Sequence, residues 1–287
     1  EPGPDGVAAH WYAVGNTWTN FYVDDELTYT GRTAQRLDVI EEGRWGGVGQ
    51  NDLDLLAGTR YEVRVVLRTH FAMKARLRVS DSTGHEVYLE QDASWSANEW
   101  HTWTLAFTAP KSDPAARLEV TFEGLGSAWL GAASLMPADN FRGMRKDVIA
   151  ALQEMSVPVL RWPGGNFTRN WLWKDGLLPV DRRPPVVSKS HETLALTDNY
   201  DFQEIGIDDF MALCEHLNAQ PSLVLNITDE LQNACDLLEY CNGAADSGWG
   251  KVRAERGHPA PHAVKFWSVG NENFGYWMGP GYFPPEE

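Results

Sequence analysis

Val264-Lys265-Phe266-Trp267-Ser268-Val269-Gly270-Asn271-Glu272 changes character within nine residues. Five of the first six are β-branched, aromatic or small, the composition of a buried strand. A glycine, an amide and a carboxylate follow at once. A strand that ends in this way delivers two polar side chains to one rim of its sheet. In parallel α/β sheets and barrels, that C-terminal rim is where active sites sit. Taken alone, Gly-Asn-Glu reads equally as a polar turn. Two upstream segments, however, end in the same manner. The strand predicted over 157–162 runs into Pro163-Gly164-Gly165-Asn166, and the one predicted over 222–227 carries Asn226 near its end.

Helical periodicity separates these strands. Met144, Val148, Ile149, Leu152 and Met155 fall on one helix face, with Asp139 or Asn140 placed to cap its start. Ile207, Phe210, Met211, Cys214 and Leu217 mark a second helix, and Leu231, Ala234, Cys235, Leu238 and Cys241 a third. Helix and strand alternate without hairpins, which predicts βα units and a parallel sheet. The stretch 174–203, with its prolines and polar residues, reads as a loop over the rim or a small subdomain.

Upstream the period is two. Alternating runs at 36–40, 61–67, 75–79, 103–107 and 117–122 are separated by turn signals such as Ala57-Gly58-Thr59 and Asp81-Ser82-Thr83-Gly84. Many short strands, each with one polar face, predict a β-sandwich of the jelly-roll kind. Two domains follow: a sandwich over 1–137 and an α/β domain over 138–287. Trp11, Trp18, Trp45, Trp95 and Trp100 would serve either as a sugar platform or as packing.

Composition narrows the partners. The 287 residues carry a formal net charge of −16, which disfavours nucleic acid and anionic membrane surfaces and suits a neutral ligand such as a sugar. No segment is long and apolar enough to span a membrane. Glu1-Pro2-Gly3-Pro4 reads as a processed or cut end, not a targeting sequence. Cys214, Cys235 and Cys241 sit in apolar helical segments and are expected to be buried free thiols. Their spacing matches no common metal site, and no cofactor is expected.

Arg161, Asn166, Asn226, Asn271 and Glu272 are thus expected together at three strand ends. Each Asn singly is a common turn or cap residue. Together, amides and a carboxylate suit hydroxyl recognition and acid/base chemistry on a sugar. Asn166-Phe167-Thr168 and Asn226-Ile227-Thr228 have the form of glycosylation sequons, yet their place on the rim favours a binding or structural role.

The ordered set of motifs resembles glycoside hydrolase family 51, the α-L-arabinofuranosidases. Arg161-Trp162-Pro163-Gly164-Gly165-Asn166 is followed by Trp171-Leu172-Trp173-Lys174-Asp175-Gly176, then by Glu239-Tyr240-Cys241-Asn242-Gly243, Gly257-His258-Pro259 and Trp267–Glu272. The segment 129–137 closes a region similar to the carbohydrate-binding-like module of many members. The resemblance implies a retaining hydrolase on an eight-stranded (β/α)8 TIM barrel, of which strands 2–4 lie here. It implies that Glu272 is the general acid/base and that Asn271 touches a sugar hydroxyl. It implies that Asn166 and Trp173 line the terminal sugar pocket, that Arg161 orients the nucleophile, and, less directly, that Asn226 contacts substrate. The expected substrate is an arabinose-bearing polysaccharide met outside the cell, although the cytoplasm stays open. An endo-β-glucanase or xylan-active hydrolase on the same scaffold, and a non-catalytic carbohydrate-binding fragment, are the alternatives.

The chain departs from that family in two respects, and the first is that the family's first barrel strand, with its sugar-binding Glu, would precede the sandwich and is missing; the second is the nucleophile. Only 15 residues follow Glu272, and Glu286 and Glu287 lie in a Pro-rich tail. Neither fits the nucleophile, which the family carries on the seventh strand. A full barrel takes about 250 residues, against 131 from Val157 onward. The expectation is a partial chain, inactive alone, with a second polypeptide possible as its complement.

Overall fold

The computed structural model describes residues 3, 5–31, 33–187, 200–228 and 230–272. The chain divides into two compact units, Glu1–Asn140 and Phe141–Glu287.

Among its described residues the first unit contains ten strands: β1 (Tyr12–Val14), β2 (Thr19–Asp24), β3 (Ala34–Val39), β4 (Trp45–Leu55), β5 (Arg60–Thr69), β6 (Lys74–Ser80), β7 (Val87–Ala93), β8 (His101–Thr108), β9 (Asp113–Glu123) and β10 (Gly126–Pro137). They form two antiparallel five-stranded sheets, ordered β1-β4-β9-β6-β7 and β2-β3-β10-β5-β8. The pairs β3/β10, β4/β9, β5/β8 and β6/β7 nest inside one another, the strand order of a jelly roll. Alternation drives the packing. Leu118, Val120 and Phe122 of β9 and Leu77 and Val79 of β6 meet Val63, Val65 and Leu67 of β5 and Leu37 and Val39 of β3 in one core. The residues between them, such as Arg76, Arg78, Arg117 and Glu119, face outward.

The five tryptophans do not form one platform. Trp18 donates its indole N–H to the carbonyl of Trp45, and Trp45 is covered by the guanidinium of Arg76 at 4.1 Å from the ring centroid. Trp95 stacks on His101 and meets Trp103 edge-on, while Trp100 packs on Tyr29. Trp11 packs against the core from its margin.

The second unit carries a parallel sheet, β11 (Val159–Trp162), β14 (Gln220–Leu225) and β15 (Phe266–Val269), in that spatial order. Its helices are α1 (Lys146–Glu154), α2 (Ile207–Leu217), α3 (Leu231–Asn242) and α4 (Gly248–Glu255). Register places Arg161 beside Ser222 beside Phe266, and Trp162 beside Leu223 beside Trp267. The second row points at the helices. Trp162 stacks on Phe210 of α2, and Leu223, Leu225, Tyr240 and Cys241 share that core. The first row lies on the opposite face, where Val159 and Phe266 remain exposed.

Several expectations change. The first helix begins at Lys146, not after Asp139 or Asn140; Arg145 is its N-cap and makes no side-chain cap bond. The intervening Phe141–Met144 bridge occupies those residues' place. Only Ile149 of α1 is buried. In α3 the buried face is Ala234, Leu237, Tyr240 and Cys241, so Leu231 and Cys235 lie outside. Cys235 is therefore an exposed thiol; Cys214 and Cys241 are buried, and all three are free. The face is rotated because Asp236 and Tyr240 are themselves buried with polar partners, Lys174 and Asp208, which a hydropathy pattern does not count. Helix α4 has two glycines and a weak apolar pattern, and tertiary contacts of Trp249 and Arg253 fix it instead. The stretch 174–203 folds into two 3-10 turns, Asp175–Leu177 and Val180–Arg182. A short antiparallel ladder of β12 (Val186–Val187) with β13 (Tyr200–Asp201) comes next; residues 188–199 lie outside the described set.

Candidate active site

The end of α3 sets where β15 begins. The Asn242 carboxamide accepts from the Val264 N–H at 2.8 Å and donates to the Val264 carbonyl at 2.9 Å. Arg253 is wholly buried and binds three carbonyls, of Tyr240, His258 and Pro259, which ties α3, α4 and the segment before β15 together. Tyr240 in turn donates to Asp208 at 2.5 Å, and Arg256 grips the other carboxylate oxygen at 2.8 Å. The Glu239–Gly243 and Gly257–Pro259 motifs thus serve as the frame that aims the third strand.

From that frame β15 delivers its polar end. The Gly270 N–H still bonds the Leu225 carbonyl, one step past the ladder. The chain then turns off the sheet: Gly270 has φ +70 and Glu272 φ +49. The left-handed region is natural for glycine and unusual for glutamate, and it concentrates at functional sites. Glu272 ends exposed to solvent. Beside it, the Asn271 Oδ1 accepts a hydrogen bond from Arg161 Nη2 at 3.0 Å. Arg161 is on β11, so the guanidinium spans the middle strand to reach it.

After β11 the chain passes a cis Trp162–Pro163 bond and a left-handed Gly165 into the 3-10 turn Gly165–Asn170, which places Asn166 just past the strand end. Asn226, 8% exposed, holds this turn down. Its Nδ2 donates to the carbonyls of Arg169 (3.2 Å) and Trp171 (3.3 Å), and its Oδ1 accepts from the Thr228 N–H (3.0 Å) and hydroxyl (2.9 Å). Its amide is fully engaged, so Asn226 positions the rim and offers no free atom to a sugar. Trp173 is likewise inside the core, 3% exposed. Its indole N–H donates to the Asn233 carbonyl at 2.9 Å, and its ring packs on Tyr240 and Trp249. Lys174 beside it binds Asn233 and Asp236 and lies 4.8 Å from the Trp249 ring centroid. Burial alone would raise the Asp236 carboxyl; the bonds from Lys174 and Gln232 outweigh it and hold the group below its ordinary value.

The structure therefore brings Arg161, Asn271 and Glu272 together at the rim and turns Asn226 and Trp173 into supports. It adds Asn170, which no motif marked. Both polar atoms of its buried amide lack a hydrogen-bond partner, as does the hydroxyl of Thr168 two residues before. Unpaired buried amides are costly, and this pair sits in the turn that Asn226 clamps. Among the described residues, no three His, Cys, Asp or Glu side chains gather as a metal site.

A family model described as the alpha-L-arabinofuranosidase 1 domain matches residues 151–282. Alpha-L-arabinofuranosidase C of Emericella nidulans is 40% identical over 143 residues, 50% of this chain and 27% of that protein. The intracellular exo-alpha-(1->5)-L-arabinofuranosidase of Acetivibrio thermocellus is 38% identical over 137 residues, 47% of this chain and 26% of that protein. The chain spans about a quarter of the length of these curated relatives. An arabinose-bound α-L-arabinofuranosidase structure, MgGH51, superposes with a TM-score of 0.78 over 93% of this chain and 48% of its own. At 19% identity, that likeness speaks to the fold.

Proposed function

We infer the function from the premise that this chain belongs, through residues 151–282, to the α-L-arabinofuranosidases of glycoside hydrolase family 51. We propose that it carries the acid/base half of a retaining α-L-arabinofuranosidase site. The observation that carries this reading is the Arg161–Asn271 bond beside the left-handed Glu272, at the ends of flanking parallel strands.

In a retaining reaction one carboxylic acid protonates the departing glycosidic oxygen while a second carboxylate attacks the anomeric carbon. Water then cleaves the glycosyl-enzyme, with the first residue now acting as base. Glu272 is the acid/base in this proposal. Asn271, its carbonyl oxygen held by Arg161, contacts a sugar hydroxyl, and Asn166 contributes from the turn after β11. The nucleophilic carboxylate comes from outside the described residues.

The sheet supports completion into a (β/α)8 barrel. Its strands run in sequence order, and its core side chains and helices share one face. The opposite face exposes Val159 and Phe266, apolar side chains that further strands would cover as a barrel interior. Those strands belong either to the same polypeptide or to a second chain. The substrate we propose is an arabinose-bearing polysaccharide or its oligosaccharides. A polymer of that kind is met outside the cell, whereas the Acetivibrio relative is named intracellular; fractionation of the producing cells decides between the two. No helix among the described residues is long and apolar enough to cross a membrane.

The test is the activity of a polypeptide that carries this chain with the remaining strands. Release of arabinose from an aryl α-L-arabinofuranoside, with no cleavage of soluble β-glucan or xylan, is the expected result. Cleavage of the glucan without the arabinofuranoside would overturn the assignment.

A further inference from the structure

The second unit holds the only Asn-Gly pair in the 287 residues, Asn242-Gly243. The fold demands both halves of the pair. The Val264 N–H needs an acceptor and the Val264 carbonyl a donor, and the Asn242 carboxamide supplies both, at 2.8 and 2.9 Å. A neutral amide offers an acceptor and a donor side by side; an ionised carboxylate offers acceptors alone. The next position excludes a side chain. A Cβ on Gly243 would stand 2.6 Å from the Glu239 carbonyl oxygen and 2.6 Å from Ser247 Oγ. Gly243 has φ −70, so space and not backbone conformation requires glycine there.

The features that suit the pair to its place also make it reactive. With no Cβ on Gly243, its backbone nitrogen is open to approach the Asn242 Cγ. Asn242 is the last residue of α3 and is exposed, so the helix end frays and water reaches it. Three hydrogen bonds oppose the reaction. Two are those to Val264, and the third runs from the Gly243 N–H to the Glu239 carbonyl at 2.7 Å.

We propose that Asn242 is a site of spontaneous deamidation and that the reaction unlocks β15. When the end of α3 opens, the Gly243 nitrogen attacks Asn242 Cγ, and its proton passes through water to the departing nitrogen. The Cγ–Nδ2 bond breaks, ammonia leaves and a cyclic succinimide forms. Water then opens the ring, to aspartate at one carbonyl and to isoaspartate at the other. In the aspartate form a carboxylate oxygen replaces Nδ2 and faces the Val264 carbonyl oxygen, so two acceptors meet where a hydrogen bond had been. Isoaspartate also reroutes the main chain through the side chain. Val264 leads directly into β15, whose end carries Asn271 and Glu272. Loss of activity follows only if Glu272 is the acid/base, whereas the modification and the loosened strand are independent of that role.

The experiment ages the whole 287-residue chain at mildly alkaline pH until the first asparagine reacts, and maps the converted amides by peptide mass. A synthetic peptide of residues 238–245 is the unrestrained reference. Asn242 should react before every other asparagine, and more slowly in the chain than in the peptide. In Asn242→Asp, hydrogen-exchange protection over 264–269 should fall by about tenfold or more, with β9 of the first unit unchanged. The mass map needs no variant. If Asn242→Asp does not fold, exchange on the aged chain, whose converted molecules separate by charge, makes the same measurement. Reaction of another asparagine ahead of Asn242 would overturn the proposal. So would wild-type protection of 264–269 in the converted chain or the variant.

Discussion

Arg161 donates from Nη2 to Oδ1 of Asn271 at 3.0 Å, across 110 positions of sequence and over the end of the strand between them. The bond fixes the orientation of the Asn271 amide. With its oxygen turned to Arg161, the amide is held at the rim, next to Glu272. Arg161→Ala should release that amide and slow arabinofuranoside hydrolysis by about 100-fold, the scale of a misplaced positioning group. Arg161→Lys should recover little, because an ammonium lacks the planar reach. Steady-state kinetics of both variants check this; wild-type kcat/KM in Arg161→Ala would remove Arg161 from the site.

Glu272→Ala should impair natural substrates most and nitrophenyl arabinofuranoside least, because nitrophenolate leaves without a proton. The glycosyl-enzyme should accumulate, visible as a burst, and added azide should restore turnover by attacking it without a general base. Natural-substrate hydrolysis within a few-fold of wild type would sink the acid/base assignment.

Asn226→Ala tests a support rather than a ligand. It removes four hydrogen bonds and leaves the carbonyls of Arg169 and Trp171 without this donor. A loss of about 1–3 kcal/mol of stability is expected. Hydrogen exchange should rise in 165–173 while α2 stays protected. A variant with unchanged stability and only a raised KM would instead show that Asn226 touches substrate.

His262 gives the second unit an acid sensitivity. Burial, with the nearby His258 and Arg253, lowers its pKa to about 4 from an ordinary value of 6.5. As pH falls, the unfolded chain takes up this proton first, so the unfolded state gains. The stability His262 contributes is complete above about 6.5 and is lost progressively toward 4. His262→Leu should show a smaller drop in melting temperature than wild type between pH 7 and pH 4.5. An equal or larger drop in the variant would place the sensitivity elsewhere.

The sandwich strands, the parallel βα order and the rim at Asn271 and Glu272 were legible in the chain because period and punctuation are local. Alternation places Leu118, Val120 and Phe122 on one face whatever surrounds them. A strand that stops at Gly270 must present Asn271 and Glu272 at its end. The start of α1, the face of α3 and the existence of α4 were not legible. The Phe141–Met144 bridge displaces the start of α1, the Asp208–Tyr240 bond turns the face of α3, and the Arg253 carbonyl cluster holds α4; none of these pairings is written in a hydropathy period.

The residue types of the site came from sequence, and their roles came from the fold. Asn226 and Asn271 look alike in the chain, each an amide at a strand end. Only the tertiary structure commits one to the Arg169 and Trp171 carbonyls and sets the other at the rim under Arg161. Trp173, expected against a sugar, is buried because the Asn233 carbonyl and the Tyr240 and Trp249 rings satisfy it better than solvent does. A hydrogen bond is a property of two atoms brought together, and sequence names the atoms without fixing the distance between them.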